Sequence, residues 1–342
     1  MNTGKFKDLL STIGNTPIVP LKRCVPKNTK HSFWGKLEYF NPGLSVKDRI
    51  ALAIVEGAEK RGHLKPGGMI VEATSGNTGV GLAMVAAIKG YKAVFTMPAK
   101  ISEEKRATLR AYGAEVVITP TGVEPTDPRS HYSVARQIAK DTPGAFFTNQ
   151  YDNLDNVNLH YEKTGPEIWR QMDGDIDAFV AGVGTGGTIS GIGKYLKEKN
   201  KDIKIVVNDP IGSILYDLFH YKEVRDPAGS YLVEGIGEDM VPECLNFNVI
   251  DDFIKVNDTE SFIKCREMAR EEGLLVGPSA ASAVVGAIKF SEKLEKPSQI
   301  LIMLPDNGSK YLSKAFDVNW LNEKLNLNIK DERPFEKKYT LA

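Results

Sequence analysis

Continuous apolar runs alternate along the chain with stretches whose apolar positions recur every three or four residues. "GGMIVEAT" leads into "SGNTGVGLAMVAAIKGY", "KAVFTMP" into "SEEKRATLRAYG" and then "AEVVITP", and "DIDAFVAGV" into "GTGGTISGIGKYLKEKN" and then "DIKIVVNDP". Short unbroken apolar runs are strands buried on both faces, and the longer periodic stretches are helices. Their alternation predicts an α/β protein with parallel strands. Two units share one design of strand, glycine-rich turn and helix, one near residue 75 and one near 185. This predicts two domains, each with a central, mostly parallel sheet flanked by helices, and a boundary near "NQYDNLDN" (149–156).

The stretch "FNPGLSVKDRIALAIVEGAEK" (40–60) reads as a helix with a misplaced lysine. Ser45 and Asp48 match the S-x-x-D capping box, which makes Ser45 the expected N-cap and puts Lys47 in the first turn. The apolar stripe runs through Ile50, Ile54, Gly57 and Ala58. Lys47 falls on that stripe, whereas Asp48 and Arg49 are expected to point elsewhere. A cation at a helix N-terminus opposes the dipole, and burial disfavours its charge. Both lower the pKa and favour a nucleophilic amine. The plainer reading pairs Lys47 with a carboxylate or lets it reach solvent.

"TSGNTG" (74–79) follows a strand and opens an apolar helix, so its free N–H groups and the hydroxyls of Thr74, Ser75 and Thr78 can hold a carboxylate or phosphate. A simple tight turn is the alternative. "GVGTGGT" (182–188) is a second such turn. Gly182, Gly184 and Gly187 satisfy G-x-G-x-x-G, and Asp209 ends the next strand, as in a dinucleotide fingerprint. The same turn serves equally as a nest for one phosphate.

Bulk properties narrow the partners. The 342 residues hold 44 Lys plus Arg against 44 Asp plus Glu, so no net field recruits nucleic acid or an anionic membrane. No apolar run reaches the roughly 20 residues that span a bilayer, and the N-terminus lacks a signal-peptide pattern. Cys24, Cys244 and Cys265 are widely spaced, and the five histidines form no H-E-x-x-H pattern. A cytoplasmic protein without a bound metal is expected.

With these residues assembled, the chain resembles the pyridoxal-phosphate β-family of fold type II, in its cystathionine β-synthase and cysteine synthase branch. The resemblance is carried by "GNTPIVPL", "EYFNPGLSVKDR", "EATSGNTGVGLA", "NQYDN", "GVGTGGTISGIG", "DPIGSIL", "VEGIGEDMVP" and "PDNGSKYLSKAFDVNW", spread over residues 12–320. The last three are more similar to cystathionine β-synthases than to plain cysteine synthases. The resemblance implies pyridoxal 5'-phosphate carried on Lys47, with Asn77 on the pyridoxal O3′. Gly184, Thr185, Gly186, Gly187 and Thr188 would hold the phosphate, and Ser279 would face the pyridine nitrogen. Thr74, Ser75, Thr78 and Gln150 would hold the substrate α-carboxylate. The implied organisation is a smaller mobile domain at 41–152 that carries the carboxylate site. A larger phosphate-binding domain follows from 1–40 with 153–325, and a charged, loose tail covers 326–342.

The implied reaction is a β-replacement in which Lys47, freed by the substrate, moves the α-proton. Serine or an activated serine such as O-acetylserine would condense with homocysteine to give cystathionine. The nearest alternatives are cysteine synthesis from sulfide and hydrogen sulfide release from cysteine. Readings outside the class are a nicotinamide-dependent oxidoreductase using the 182–187 turn with Asp209, and a non-catalytic binding module. A homodimer is expected. The chain starts at the catalytic core and stops near residue 342, so neither haem nor a regulatory pair of S-adenosylmethionine-binding domains is expected. Glu238 stands where animal relatives carry tyrosine; an acid there can meet the amino group of the second substrate, and an ordinary rim charge is the alternative. "GPSAAS" replaces the usual "GGSAGS", with Pro278 and Ala281 stiffening the turn at Ser279. His131, Tyr132 and His160 lie near family positions without an expected catalytic role.

Overall fold

The apolar runs form ten strands in two sheets in the computed structural model, which describes residues 4–74, 76–124 and 126–330. Four strands, β3 (Met69–Ala73), β4 (Lys92–Pro98), β5 (Glu115–Thr119) and β6 (Ala145–Phe147), make an all-parallel sheet in the order β5-β4-β3-β6. Six others, β1 (Ile18–Leu21), β2 (Ser32–Leu37), β7 (Ala178–Gly182), β8 (Lys204–Pro210), β9 (Asp252–Val256) and β10 (Gln299–Leu304), make the larger sheet. Its order is β1-β2-β10-β7-β8-β9, parallel except for β1 at the edge. The α/β architecture expected from the alternating pattern is therefore present, with two parallel sheets, each flanked by helices.

Strand residues alternate between two cores, as the pleat requires. In the larger sheet Ala178, Val180 and Val206 face the helix Pro278–Ser291 through Ala280 and Val284. Phe179, Ala181, Ile205 and Val207 face the helix Gly187–Lys199 through Ile189, Ile192 and Leu196. In the smaller sheet Ile70, Phe95 and Met97 meet Ala51 and Val55 of Lys47–Lys60 and Leu82 and Val85 of Asn77–Lys89. Each fully buried Val, Leu, Ile, Phe or Met among them contributes about 1.5–3 kcal/mol, so these faces are held by the residues that made the runs legible.

One expectation is corrected here. The start of the tail is not loose: Asn322 exchanges two hydrogen bonds with the Ile329 backbone, and Ile329 packs on the core. Residues 331–342 lie outside the described residues. Among the described residues no helix is long and apolar enough to cross a membrane.

The segments after β3, β7, β8 and β10 all leave the carboxyl ends of parallel strands, where α/β sheets open a crevice. That is where the candidate residues gather.

Candidate active site

Lys47 is the first residue of its helix, and the chain just before it is stitched to the end of β10. Val46 N–H donates to Pro305 O at 2.8 Å, Asn307 N–H donates to Leu44 O at 3.3 Å, and Ser45 bridges to Asp306. From the other side Gly81 lets the Asn77–Lys89 helix come close. A Cβ there would stand 3.1 Å from Lys47 O and 2.9 Å from Ala51 Cβ. The expected capping box does not form. Val46 is the N-cap, Ser45 Oγ accepts from Lys47 N–H at 3.2 Å, and the Asp48 carboxylate turns to Gly43 N–H at 2.5 Å.

Nor do Asp48 and Arg49 point away from the interior, since both are buried. Arg49 Nε and Nη2 reach the two oxygens of Glu38 at 2.7 and 2.9 Å, and Nη1 and Nη2 reach those of Glu167 at 2.9 Å each. Lys36, fully buried, also bonds Glu167 and reaches Thr16 O at 2.7 Å. Two cations and two carboxylates thus close a buried, charge-balanced cluster beneath the start of the lysine helix. Burial pushes the Glu38 carboxyl up, but Arg49 outweighs it and holds the group at about 2.

The Lys47 amine makes no hydrogen bond or ion pair with a described residue. Burial lowers its pKa, partly countered by the charges of Glu238, Cys244 and Asp306. Asp306 accepts from Asn77 Nδ2 at 2.8 Å and from the Tyr311 hydroxyl at 2.6 Å, while its Oδ1 is buried without a partner among the described residues. Lys310 Nζ donates to Asn77 Oδ1 at 2.5 Å. Gly277 must lack a side chain because a Cβ would fall 2.1 Å from Asp306 Oδ1. The helix that begins at Pro278 and carries Ser279 thereby starts against the same carboxylate. The Ser279 hydroxyl has no partner among the described residues.

The 74–78 turn follows β3. Thr74 and Thr78 are buried, Thr78 Oγ1 donates to Gln150 Oε1 at 2.6 Å, and Ser75 lies outside the described residues. Buried Glu72 backs this turn by accepting from Gln150 N–H at 3.1 Å and from the Thr148 hydroxyl. Its carboxyl is driven up to about 7 by burial. The 184–188 turn follows β7, with Gly186 in the left-handed region at φ 85. None of the backbone N–H groups of 184–188 finds an acceptor among the described residues, and they open the helix Gly187–Lys199. A Cβ at Gly184 would stand 2.6 Å from Gly235 O, so that position admits only glycine. Glu238 closes the site. Its Oε1 is 3.4 Å from the Tyr151 hydroxyl, and its pKa is raised to about 8 by burial and by Asp239.

Contacts thus join Asn77 to Asp306, Thr78 to Gln150 and Glu238 to Tyr151. Asp209 does not join as a ribose ligand: it is fully buried, and its Oδ2 caps Tyr216 N–H at 3.0 Å. Glu72, Tyr151, Asp306 and Lys310 had no assigned place, although all four lie inside quoted motifs, Glu72 in "EATSGNTGVGLA", Tyr151 in "NQYDN" and the other two in "PDNGSKYLSKAFDVNW". These residues suit a phosphorylated ring aldehyde. The chain supplies a lowered-pKa amine without a hydrogen-bond partner among the described residues, a backbone turn of unfilled donors at 184–188 and a second turn at 74–78.

The comparisons agree with that geometry. The family profile described as "Pyridoxal-phosphate dependent enzyme" matches residues 9–306. Cystathionine beta-synthase of Apis mellifera is 46% identical over 316 residues, 92% of this chain and 62% of that protein. The chain spans about three fifths of the length of such curated relatives. Among solved structures, O-ureido-L-serine synthase superposes with a TM-score of 0.85 at 35% identity, covering 96% of this chain and 98% of that one. A hydrogen sulfide-producing enzyme from Fusobacterium nucleatum superposes at 0.82 and 34%, covering 90% and 99%. The chain is a member of the pyridoxal-phosphate-dependent enzyme family.

Proposed function

We propose that the protein catalyses a β-replacement, joining serine or an activated serine to homocysteine to form cystathionine. The observation that carries this reading is the unpaired, lowered-pKa amine of Lys47 between two anion cradles, with the acid Glu238 at its side. Similarity to cystathionine beta-synthases over more than nine tenths of the chain supports the choice of product.

The residues divide the work. Backbone N–H groups of 184–188, with the Thr185 and Thr188 hydroxyls, hold the cofactor phosphate. Asn77 lies by the ring oxygen and Ser279 by the ring nitrogen. When bound, pyridoxal phosphate supplies the electron-withdrawing ring that makes the α-proton of an attached amino acid removable. A hydroxyl at Ser279, unlike a carboxylate, leaves the ring nitrogen uncharged, which suits elimination at Cβ. Thr74, Ser75, Thr78 and Gln150 grip the α-carboxylate and orient the Cα–H bond. Lys47, neutral because burial disfavours its charge, takes that proton at Nζ and later returns it. Glu238 receives the ammonium group of the second amino acid.

The smaller unit, 41–152, carries the carboxylate cradle and closes over the site. Lys105 of that unit pairs with Glu234 on the opposite wall at 2.5 Å, and Lys314 shares the same carboxylate at 2.6 Å. Closure excludes water from the reacting carbon. The working form is a cytoplasmic homodimer, to which half-exposed Phe6, Leu9 and Phe40 offer apolar surface.

A second reading replaces homocysteine by sulfide, or begins from cysteine and releases hydrogen sulfide. The Fusobacterium nucleatum neighbour favours keeping it. The deciding experiment is a product assay in which serine, O-acetylserine and cysteine are each paired with homocysteine and with sulfide. Cystathionine as the dominant product supports the proposal, and cysteine as the dominant product replaces it with the second reading.

A further inference from the structure

Asn156 and His160 stand four residues apart, on the helix Asp155–Leu159 and at the first residue of the π-helical turn His160–Thr164, and both reach the 184–188 turn. Both are fully buried. Asn156 Nδ2 lies 3.0 Å from Gln150 O and 2.8 Å from Thr185 Oγ1. A backbone carbonyl only accepts, so the NH2 end of the amide must face it, and the second N–H goes to Thr185 Oγ1. The Thr185 oxygen then serves as acceptor on that side, and its own hydrogen is free to be donated elsewhere. Gly187 makes the approach possible, since a Cβ there would stand 2.1 Å from Asn156 Oδ1.

His160 is placed to do the same for the other threonine. Its Nδ1 is 3.0 Å from Thr164 Oγ1 and its Nε2 is 3.1 Å from Thr188 Oγ1. Burial first, then the charge of Arg49, drives its pKa down to about 3, so the ring is neutral, with one donor and one acceptor nitrogen. With Nε2 protonated, Nδ1 accepts from Thr164, Nε2–H donates to Thr188 Oγ1, and the Thr188 hydrogen is free.

We propose that Asn156 and His160 are positioning residues that make the Thr185 and Thr188 hydroxyls donors toward the cofactor phosphate, Asn156 also tying that loop to the Gln150 backbone of the carboxylate cradle. This rests on the reading of 184–188 as the phosphate site. The turn itself contains no cation, so hydroxyl and N–H dipoles carry the binding, and the direction of each O–H matters.

The test compares the affinities of pyridoxal phosphate and of pyridoxal, which has the same aldehyde and no phosphate. Asn156→Asp keeps the side-chain size but cannot donate. It is expected to weaken pyridoxal phosphate about tenfold or more while pyridoxal stays within about twofold. The 31P resonance of the bound cofactor should move with it. His160→Gln, which keeps a donor near Nε2, should retain the preference, and His160→Phe should lose it. Thr185→Val must reproduce the Asn156→Asp loss, which keeps the idea falsifiable if the aspartate variant does not fold. Nitrogen-15 spectra of the wild type should show His160 protonated at Nε2. Equal weakening of both ligands, an unchanged ratio in Asn156→Asp or Thr185→Val, or an Nδ1-protonated His160 would overturn the inference. A wild type with no preference for pyridoxal phosphate over pyridoxal would instead overturn the phosphate reading of the 184–188 turn.

Discussion

Asn77 and Asp306, 229 residues apart, are joined by a 2.8 Å hydrogen bond from Nδ2 to Oδ2, and this bond ties the helix Asn77–Lys89 to the loop after β10. With Lys310 on its Oδ1, the Asn77 amide is held at both ends. Asp306→Ala is expected to free that amide and leave the Tyr311 hydroxyl without its acceptor, at about 1–3 kcal/mol of stability. The visible absorbance of bound pyridoxal phosphate should shift as the ring oxygen loses an ordered neighbour. Denaturant unfolding and an absorbance spectrum check both, and an unchanged spectrum would mean that Asn77 does not meet the ring.

Lys47 has the opposite balance of function and stability. Its amine is desolvated with no hydrogen-bond partner among the described residues, and the cost of burying its charge outweighs the attraction of Glu238 and Asp306. Lys47→Ala should therefore abolish turnover while leaving the unfolding midpoint unchanged or raised. In the wild type, borohydride reduction followed by peptide mapping should place the cofactor on Lys47. A label on another lysine would move the centre of the reaction.

Arg49 carries the reverse expectation. Its loss would leave Glu38 and Glu167 buried with only Lys36 to balance them, which costs about 3–5 kcal/mol for a broken buried pair. The same cluster sets an acid limit. Glu38 is held at about 2 against an ordinary value of 4.5, so its contribution is fully present above pH 4.5 and is lost as pH falls from 4.5 toward 2. Unfolding measured at pH 7, 4 and 3 should show that decline, and Glu38→Gln should flatten it.

Local pattern made much of this legible, and distant partners account for what it missed. The strands stood out because parallel strands are apolar on both faces, and Lys47 stood out because helical phase needs only its neighbours. The cap at Ser45 failed because Asp48 is claimed by Gly43 and the chain before the helix pairs with 305–307. Arg49 looked exposed because its carboxylates lie 11 and 118 residues away. Asp306, Asn156 and His160 follow no motif spacing of their own. Their importance comes from the side chains they aim, and those contacts exist only after the two sheets are assembled.

Glu238 offers the sharpest pH test of the proposed second-substrate site. Burial and the neighbouring Asp239 raise its pKa to about 8, against opposing effects of Tyr151 and Lys47. It is therefore mostly protonated at pH 7 and becomes an anion as pH rises through 8, when it can pair with the ammonium of homocysteine. KM for homocysteine is expected to fall by about three- to fivefold between pH 7 and 8.5, the scale of a partly solvated ion pair. The thiol also ionises in that range, so 4-mercaptobutanoate, which keeps the thiol and carboxylate without the amine, is the comparator and should show no such gain. Glu238→Gln should remove the difference between the two thiols while leaving KM for serine in place. Stability runs the other way. A raised carboxyl pKa contributes below pH 4.5 and is lost as pH rises toward 8, so Glu238→Gln should unfold later than the wild type at pH 9. If both thiols follow one pH profile in the wild type, Glu238 is a rim charge with no part in choosing the second substrate.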